Sequence, residues 1–323
     1  MVDLSCKQIK IKANTNTLKF LVERSQTMYN RCMEELHRPV LLSEVLDVLA
    51  PKPGESYIDL TAGYAGHASK ILDVTRNYKD TVLVDRDDFA AEHLRKGFSD
   101  LGVTVINQDF YSAALQVIEC GKTFDMILAD FGVSSPQLDM AERGFSFSKE
   151  GPLDMRMDRR QRLDADTIVN KWSERELAEI FVKYGEEKPG LARLIAREIV
   201  HNRPIHNTKE LAEVIARKVR RGKTHPATRI FQAIRIVVND ELGEIEKTLP
   251  LIPKMLNPGG RVAIITFHSL EDRLVKDYFK EASSFGEESE LTVINKAPII
   301  AENEELVINP RARSAKLRAA KRN

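Results

Sequence analysis

The sequence predicts an α/β fold: a Rossmann-like, mostly parallel sheet whose two parts are separated by an all-helical insertion. Three observations predict it. Short apolar runs alternate with helix-length amphipathic segments from 57 to 130, the pattern of right-handed βαβ crossovers. That alternation stops after Asp130, gives way to helices alone, and resumes near 261. Finally, Ser56-Tyr57-Ile58-Asp59-Leu60-Thr61-Ala62-Gly63-Tyr64-Ala65-Gly66-His67 runs from an apolar strand through a small-residue turn into a helix. Such a turn presents backbone N–H groups to a ligand, and glycines let it come close.

Residues 1–16 are polar, whereas Leu18, Leu21, Val22, Met28, Tyr29, Cys32, Met33 and Leu36 recur at helical spacing, so 17–36 reads as an amphipathic helix within an N-terminal extension, 1–36. A short helix over 40–49 is stopped by Pro51 and Pro53. The first part of the sheet domain, 37–140, then carries strands at 57–60, 81–85, 103–107 and 125–130, with helices at 66–75, 89–98 and 112–119. In the insertion, 141–225, Ser173-x-x-Glu176 is a capping box opening a helix with Leu177, Ile180, Phe181 and Tyr184 on one face. Leu191, Leu194, Ile195 and Ile199 mark a second helix, and a third, capped by Thr208, carries Leu211, Val214, Ile215 and Val219. The second part of the sheet domain, 226–323, opens on one long helix, 227–249. A turn at Pro258-Gly259-Gly260, a strand at 261–266, a helix at 270–280 and a strand at 291–295 follow. At the end, Ala315, Leu317 and Ala319 alternate with Ser314, Lys316 and Arg318, which suits an edge strand or a basic C-terminal arm.

With 323 residues, 42% of them hydrophobic, the chain has enough for a sizeable core and a domain with a large insertion. Cys6, Cys32 and Cys120 are too few and too scattered for a disulfide framework or a metal site, and His201, His206 and His225 fit no common ligand spacing. No apolar run approaches the ~18 residues of a membrane span and the polar N-terminus lacks a signal-peptide core, so a cytoplasmic protein is expected, with neither membrane nor metal as partner. The net charge is +1, so any nucleic-acid surface must come from segregated charge. Arg217, Lys218, Arg220, Arg221, Lys223, Arg229 and Arg235 form one stretch without an acid, and Arg311, Arg313, Lys316, Arg318, Lys321 and Arg322 form another. Runs of this kind are usually solvated faces, but on a nearly neutral protein they suit phosphate.

Asp59, Asp85, Asp109 and Asp130 all fall at or just beyond strand C-terminal ends, the edge at which open α/β sheets bind ligands. Each singly could be a helix N-cap. Asp85 lies at about the 20-residue distance from the turn at which an acid reaches ribose hydroxyls. Gly63-Tyr64-Ala65-Gly66 lacks the Gly-x-Gly-x-x-Gly spacing that cradles a pyrophosphate, so S-adenosylmethionine fits better than a dinucleotide. The bland alternative is that the two glycines mark only a close helix-strand contact.

Longer motifs extend over most of the chain. His37-x-Pro39-Val40-Leu41-Leu42, Asp59-x-Thr61-x-Gly63-x-x-Gly66-His67, Asp130-x-Gly132-Val133-Ser134-Ser135-Pro136-Gln137-Leu138-Asp139, Arg143-Gly144-Phe145-Ser146-Phe147, His225-Pro226-Ala227-Thr228-Arg229 and Phe267-His268-Ser269-Leu270-Glu271-Asp272-Arg273 resemble the ribosomal RNA small subunit methyltransferase H family. So do Gly151 to Asp158 and the arm from Asn309 to Arg318. The resemblance implies a Rossmann-like S-adenosyl-L-methionine-dependent methyltransferase sheet with an inserted helical substrate-recognition domain. It implies methylation of a cytidine N4 in the decoding region of 16S rRNA, with 16S rRNA or the small ribosomal subunit as partner; a homodimer is left open. Carried over residue by residue, cofactor contacts fall on Ala65, Gly66, His67, Asp85, Phe110, Asp130 and Gln137. Ala65 departs from the family, which usually has Gly there; its β-carbon is costly if φ is positive.

Cytosine N4 is a poor nucleophile because its lone pair is delocalised into the ring. Amino-methyltransferases commonly localise it with a polar side chain and a backbone carbonyl just after the fourth strand. Asp130 occupies that place, although the loop lacks the usual Pro-Pro-aromatic ending. Asp130 is the first catalytic candidate, followed by Asp154 and by His268, which could equally be a structural histidine or an RNA contact. An amino-methyltransferase acting on DNA and a noncatalytic RNA-binding module are the alternatives.

Overall fold

β1 (Tyr57–Asp59) and β2 (Thr81–Val84) are buried at every position, as continuous apolar runs must be when helices cover both faces of a parallel sheet. They belong to a computed structural model that describes residues 39–219, 225–284, 286 and 289–323. The helix expected over 17–36, the whole 1–36 extension, and Arg220, Arg221 and Lys223 lie outside the described residues. With β3 (Thr104–Ile106), β4 (Phe124–Asp130), β5 (Leu256–Thr266), β6 (Leu291–Val293) and β7 (Lys316–Arg322), the two strands make one seven-stranded sheet in the order β3-β2-β1-β4-β5-β7-β6. β1 to β5 run parallel; β7 is antiparallel to β5 and to β6.

Helices α1 (Leu42–Leu49), α2 (Gly66–Thr75), α3 (Asp88–Phe98), α4 (Phe110–Glu119) and the short α5 (Ser135–Asp139) belong to the first part of the chain. The insertion holds α6 (Ala165–Lys171), α7 (Glu174–Lys183), α8 (Pro189–His201) and α9 (Thr208–Ala216). After it come α10 (Ala227–Asn239), α11 (Glu241–Thr248), α12 (Ile252–Met255), α13 (Ser269–Ala282) and α14 (Asn303–Ile308). Strand alternation sorts the core onto two faces. Tyr57, Leu83, Met126, Leu128 and Ile265 pack against α1, α2 and α3, while Ile58, Val82, Val84, Ile127 and Ile264 pack against α4, α11 and α13. A third core, from Phe145 to Val238, belongs to the helical segment and takes in the buried face of α10.

Several sequence expectations are corrected. The single helix over 227–249 is two, broken at Asp240, whose φ of 47° closes α10. Asn and Asp tolerate that left-handed region best among residues with a side chain, and Asn239 spends its carboxamide on the main chain of Met155, Met157 and Arg235. The third insertion helix is capped by Asn207, whose side chain accepts from Glu210 N, rather than by Thr208. α6 was not expected at all. Pro258, Gly259 and Gly260 lie inside β5, where the pairing with β4 slips between Phe124 and Met126, instead of forming a separate turn. The terminal strand is interior, with β6 at the edge: Leu317 to Ala320 are buried, and Asp272 takes up the charge of Arg318 at 2.7 Å. Among the described residues, no helix is long and apolar enough to cross a membrane.

Candidate active site

β1 has β2 on one side and β4 on the other, so the chain leaves the sheet centre in opposite directions, the switch point at which open α/β sheets form a crevice at the C-terminal strand ends, here those of β1 and β4. The turn after β1 lines it. Gly63 has φ +53°, and a Cβ there would meet only the Thr61 carbonyl at an ordinary 3.9 Å, so its glycine serves backbone conformation. Gly66 serves packing, because a Cβ there would stand 3.2 Å from Pro39. Ala65, between them, is buried with φ 63° and precedes the first turn of α2 without any side-chain cap. The departure from glycine therefore falls where a β-carbon is strained.

Asp85, just past β2, accepts from Gly63 N at 2.9 Å and from Asp87 N at 2.8 Å. Burial pushes its carboxyl up to about 6. A carboxylate has about four lone-pair sites, so capacity for a ligand's hydroxyls remains. Asp109 is a helix cap, accepting from Ser112 N at 2.7 Å, and Phe110 follows it as the first residue of α4, its ring 5.3 Å from that of Phe131. Asp87 caps α3 through Phe89 N and also receives Gln137 Nε2 at 2.8 Å and Arg143 Nη1 at 2.7 Å, both from the segment after β4. Gln137 Oε1 accepts from Ser134 N at 3.0 Å. Gln137 thus ties the loop after β4 to the loop after β2.

Asp130 ends β4, and its main-chain N–H donates to Thr61 Oγ1 at 2.5 Å. Its side chain is 20% exposed, with Oδ2 4.0 Å from His67 Nδ1, while Oδ1 is buried without a hydrogen bond among the described residues. Burial, then the charges of Asp59 and Glu271, hold its carboxyl well above the usual range. Asp130 caps no helix; the N-cap of α5 is Ser134. His67 Nε2 lies 2.9 Å from the Val40 carbonyl, which fixes the ring. Beneath, Asp59 accepts from Tyr57 Oη at 2.8 Å and Thr61 N at 3.1 Å, and burial pushes it up to about 7.

His268 stands at the N-cap of α13: Nδ1 accepts from Glu271 N at 3.4 Å, and Nε2 is 3.1 Å from Glu271 Oε1. Glu241 and Glu271 adjoin it, but both Glu241 oxygens are taken by Arg235 at 2.8 Å. Asp154 is partly buried, which raises its carboxyl, but the hydrogen bonds from the Arg156 side chain, with Nε at 2.6 Å, and main chain, together with the charges of Arg156 and Arg159, bring it below the usual range. Asp130 thus closes β4, and Asp85 and Gln137 sit in the segments after β2 and β4. Asp154 is engaged within its own loop and His268 at its helix cap. Sequence reasoning missed Asp87 and, as a functional residue, Arg143. Arg143 lay within a quoted motif, yet nothing local announced a partner 56 residues away.

Residues 34–323 match the MraW methylase family. A protein of a Nostoc species named ribosomal RNA small subunit methyltransferase H is 49% identical over 291 residues, covering 88% of this chain and 92% of that one. Its namesake from Nostoc punctiforme is 49% identical over 297 residues, covering 90% and 96%. A looser likeness is to the structure described as a putative rRNA-methylase from Clostridium thermocellum, at 10% identity and a TM-score of 0.44, covering 89% of this chain and 99% of that one.

Proposed function

The chain belongs to the MraW methylase family, and on that premise we propose that it methylates the exocyclic N4 of a cytidine in the decoding region of 16S rRNA, using S-adenosyl-L-methionine in the cytoplasm. The relatives' names support ribosomal RNA as the substrate. The observation that carries the chemistry is Asp130: a carboxylate at the end of β4, beside the crevice, with one buried oxygen lacking a partner among the described residues. An exocyclic amine donates hydrogen bonds, and that oxygen can accept one.

The residues fit a nucleoside cofactor without a pyrophosphate. Asp85 offers its remaining lone pairs to ribose hydroxyls, and Ala65, Gly66 and His67 form the adjoining turn. Phe110 offers an apolar wall, and Gln137 holds the β4 loop in place. When bound, the cofactor supplies an electrophilic methyl group on a positively charged sulfonium. A positive charge near Asp130 favours its ionised form, offsetting the burial that raises its proton affinity. Holding amine and donor in line supplies several kcal/mol of the acceleration. The segment 141–225 is the substrate-recognition part in this reading. Asp154, bound to Arg156, and His268, at the N-cap of α13, act by fixing their own segments.

Mass spectrometry of 16S rRNA nucleosides from cells with and without the gene tests the reading. N4-methylcytidine should be lost with the gene and restored when the purified chain and S-adenosylmethionine are added to the unmethylated small subunits. An unchanged nucleoside profile, or N4-methylcytosine appearing instead in naked duplex DNA, would overturn it.

A further inference from the structure

An open cavity of about 310 Å³ lies beside the corner between β5 and α13, walled on its far side by the C-terminal segment. We propose that it binds one nucleotide of the substrate RNA adjacent to the methylated one, an inference that rests on the functional reading above. The cavity sits at the correct edge of the sheet. Thr266 pairs with Lys316, so the residue after β5 and the first residue of β7 both stand at the edge where β4 ends in Asp130. Its wall residue Phe267 touches the loop that carries Asp130, for a Cβ on Gly132 would come within 3.2 Å of the Phe267 ring. The cofactor turn lies on the other side of Asp130, after β1, so the cavity is on the acceptor side of the reacting centre.

Its chemistry is divided as a nucleotide's is. Phe267, Ile300 and Leu306 give an apolar wall, and Ile300, 62% exposed, leaves its face open to a ligand. Bases stack on an aromatic face such as that of Phe267 without sequence preference, and the aliphatic side chains extend the apolar surface. Opposite them stand Arg313, Ser314 and Lys316. Lys316 shares the single carboxylate of Asp272 with Arg318, at 3.1 and 2.7 Å, and Arg313 forms no ion pair among the described residues. Among the residues that line the cavity positive charge is therefore in excess, and a phosphate is the group that would neutralise it. The nearby acid Glu186 receives the Ser269 hydroxyl and lies 3.5 Å from Arg273, so it is already compensated. The volume is at the lower end of the ~300 to 1,000 Å³ typical of small-ligand sites, about what one nucleotide needs.

The test uses the full chain and unmethylated small ribosomal subunits. Arg313→Gln and Lys316→Gln should each raise the KM for subunits about tenfold, with kcat and the Kd for S-adenosylmethionine within about twofold of the parent. In a second measurement, p-benzoylphenylalanine placed at Ile300 should crosslink on irradiation to 16S rRNA within a few nucleotides of the methylated cytidine. Parent-like KM values, or crosslinks to ribosomal protein alone, would overturn the nucleotide pocket. If the parent chain transfers no methyl group to these subunits, the functional reading falls and takes the pocket with it. If the parent is active and Arg313→Gln keeps its KM, the pocket alone falls.

Discussion

The main-chain N–H of Gly63 donates to the Asp85 carboxylate at 2.9 Å, which makes the turn after β1 and the end of β2 one hydrogen-bonded unit. Asp85→Ala removes the acceptor for Gly63 and for Asp87 together with the contact proposed for the ribose. Losing a charged hydrogen bond of this kind costs about 1.5 to 3 kcal/mol. Titration calorimetry should show cofactor binding weakened by that amount. Unchanged affinity would move the ribose contact away from Asp85.

Ala65 is strained at φ 63°. A left-handed conformation costs a residue with a β-carbon roughly 1 to 2 kcal/mol, and glycine gives part of this back through its freer unfolded chain. Ala65→Gly should therefore stabilise the protein by about 1 kcal/mol or less, read as a higher urea midpoint at unchanged slope. A lower midpoint would show that contacts of the buried methyl outweigh the strain.

Asp59 gives a pH dependence with a definite sign. Its folded carboxyl is pushed up to about 7, against about 4 in an unfolded chain, so the folded state holds a proton that the unfolded state has released. Stability contributed by Asp59 is greatest below pH 4 and is lost as pH rises from about 4 to about 7, by on the order of a few kcal/mol. Asp85, Asp130 and Glu244 are raised too and add slopes of the same sign. Asp59→Asn keeps an acceptor for Thr61 N and should shrink the difference in Tm between pH 5 and pH 8, measured without cofactor. An identical difference in parent and variant would count against a protonated Asp59.

What the sequence reveals follows how local the physics is. β1, β2 and β4 were legible because short runs dominated by apolar residues stand between helix-length segments, and Asp85 and Asp130 because strand ends are where ligands meet an open sheet. The break at Asp240 was not, since apolar residues continue on both sides of it from Ile236 to Ile245 and Leu249. α6 escaped because Ala165, Ile168 and Val169 are too few to show a period. The same break creates the bidentate pair of Arg235 and Glu241, six residues apart, a spacing that no continuous helix brings together. Arg143 looked like one more basic residue until the fold placed it, 2% exposed, against Asp87.

That buried pair has its own consequence. Arg143→Met leaves Asp87 with the Gln137 amide and the Phe89 N–H but without its cation, and it strips donors from the carbonyls of Arg156 and Met157. Removing one member of a buried pair costs about 3 to 5 kcal/mol. The double variant Asp87→Asn with Arg143→Met should lose less than the two single losses added together, as judged by chemical denaturation. Strict additivity would mean that the two side chains do not act as a pair.

Asp130→Asn should move stability and turnover in opposite directions. The parent buries this carboxyl among the charges of Asp59 and Glu271, and the amide removes that repulsion at nearly constant volume. The cofactor-free variant should therefore melt at a higher temperature than the parent at pH 8, where carboxylates are most fully ionised. An asparagine oxygen is a weaker acceptor for an amine than a carboxylate, and its NH₂ faces the amine's own donors if the group turns. Turnover at saturating cofactor and subunits should fall at least about a hundredfold, the scale of losing one well-placed polar group in an active site, a loss larger than any fall in cofactor affinity accounts for. A catalytic group kept at a cost in stability predicts both signs together. A higher Tm with parent-like turnover would leave Asp130 without an essential role in the reaction, and reduced turnover with a lower Tm would point to a damaged fold instead.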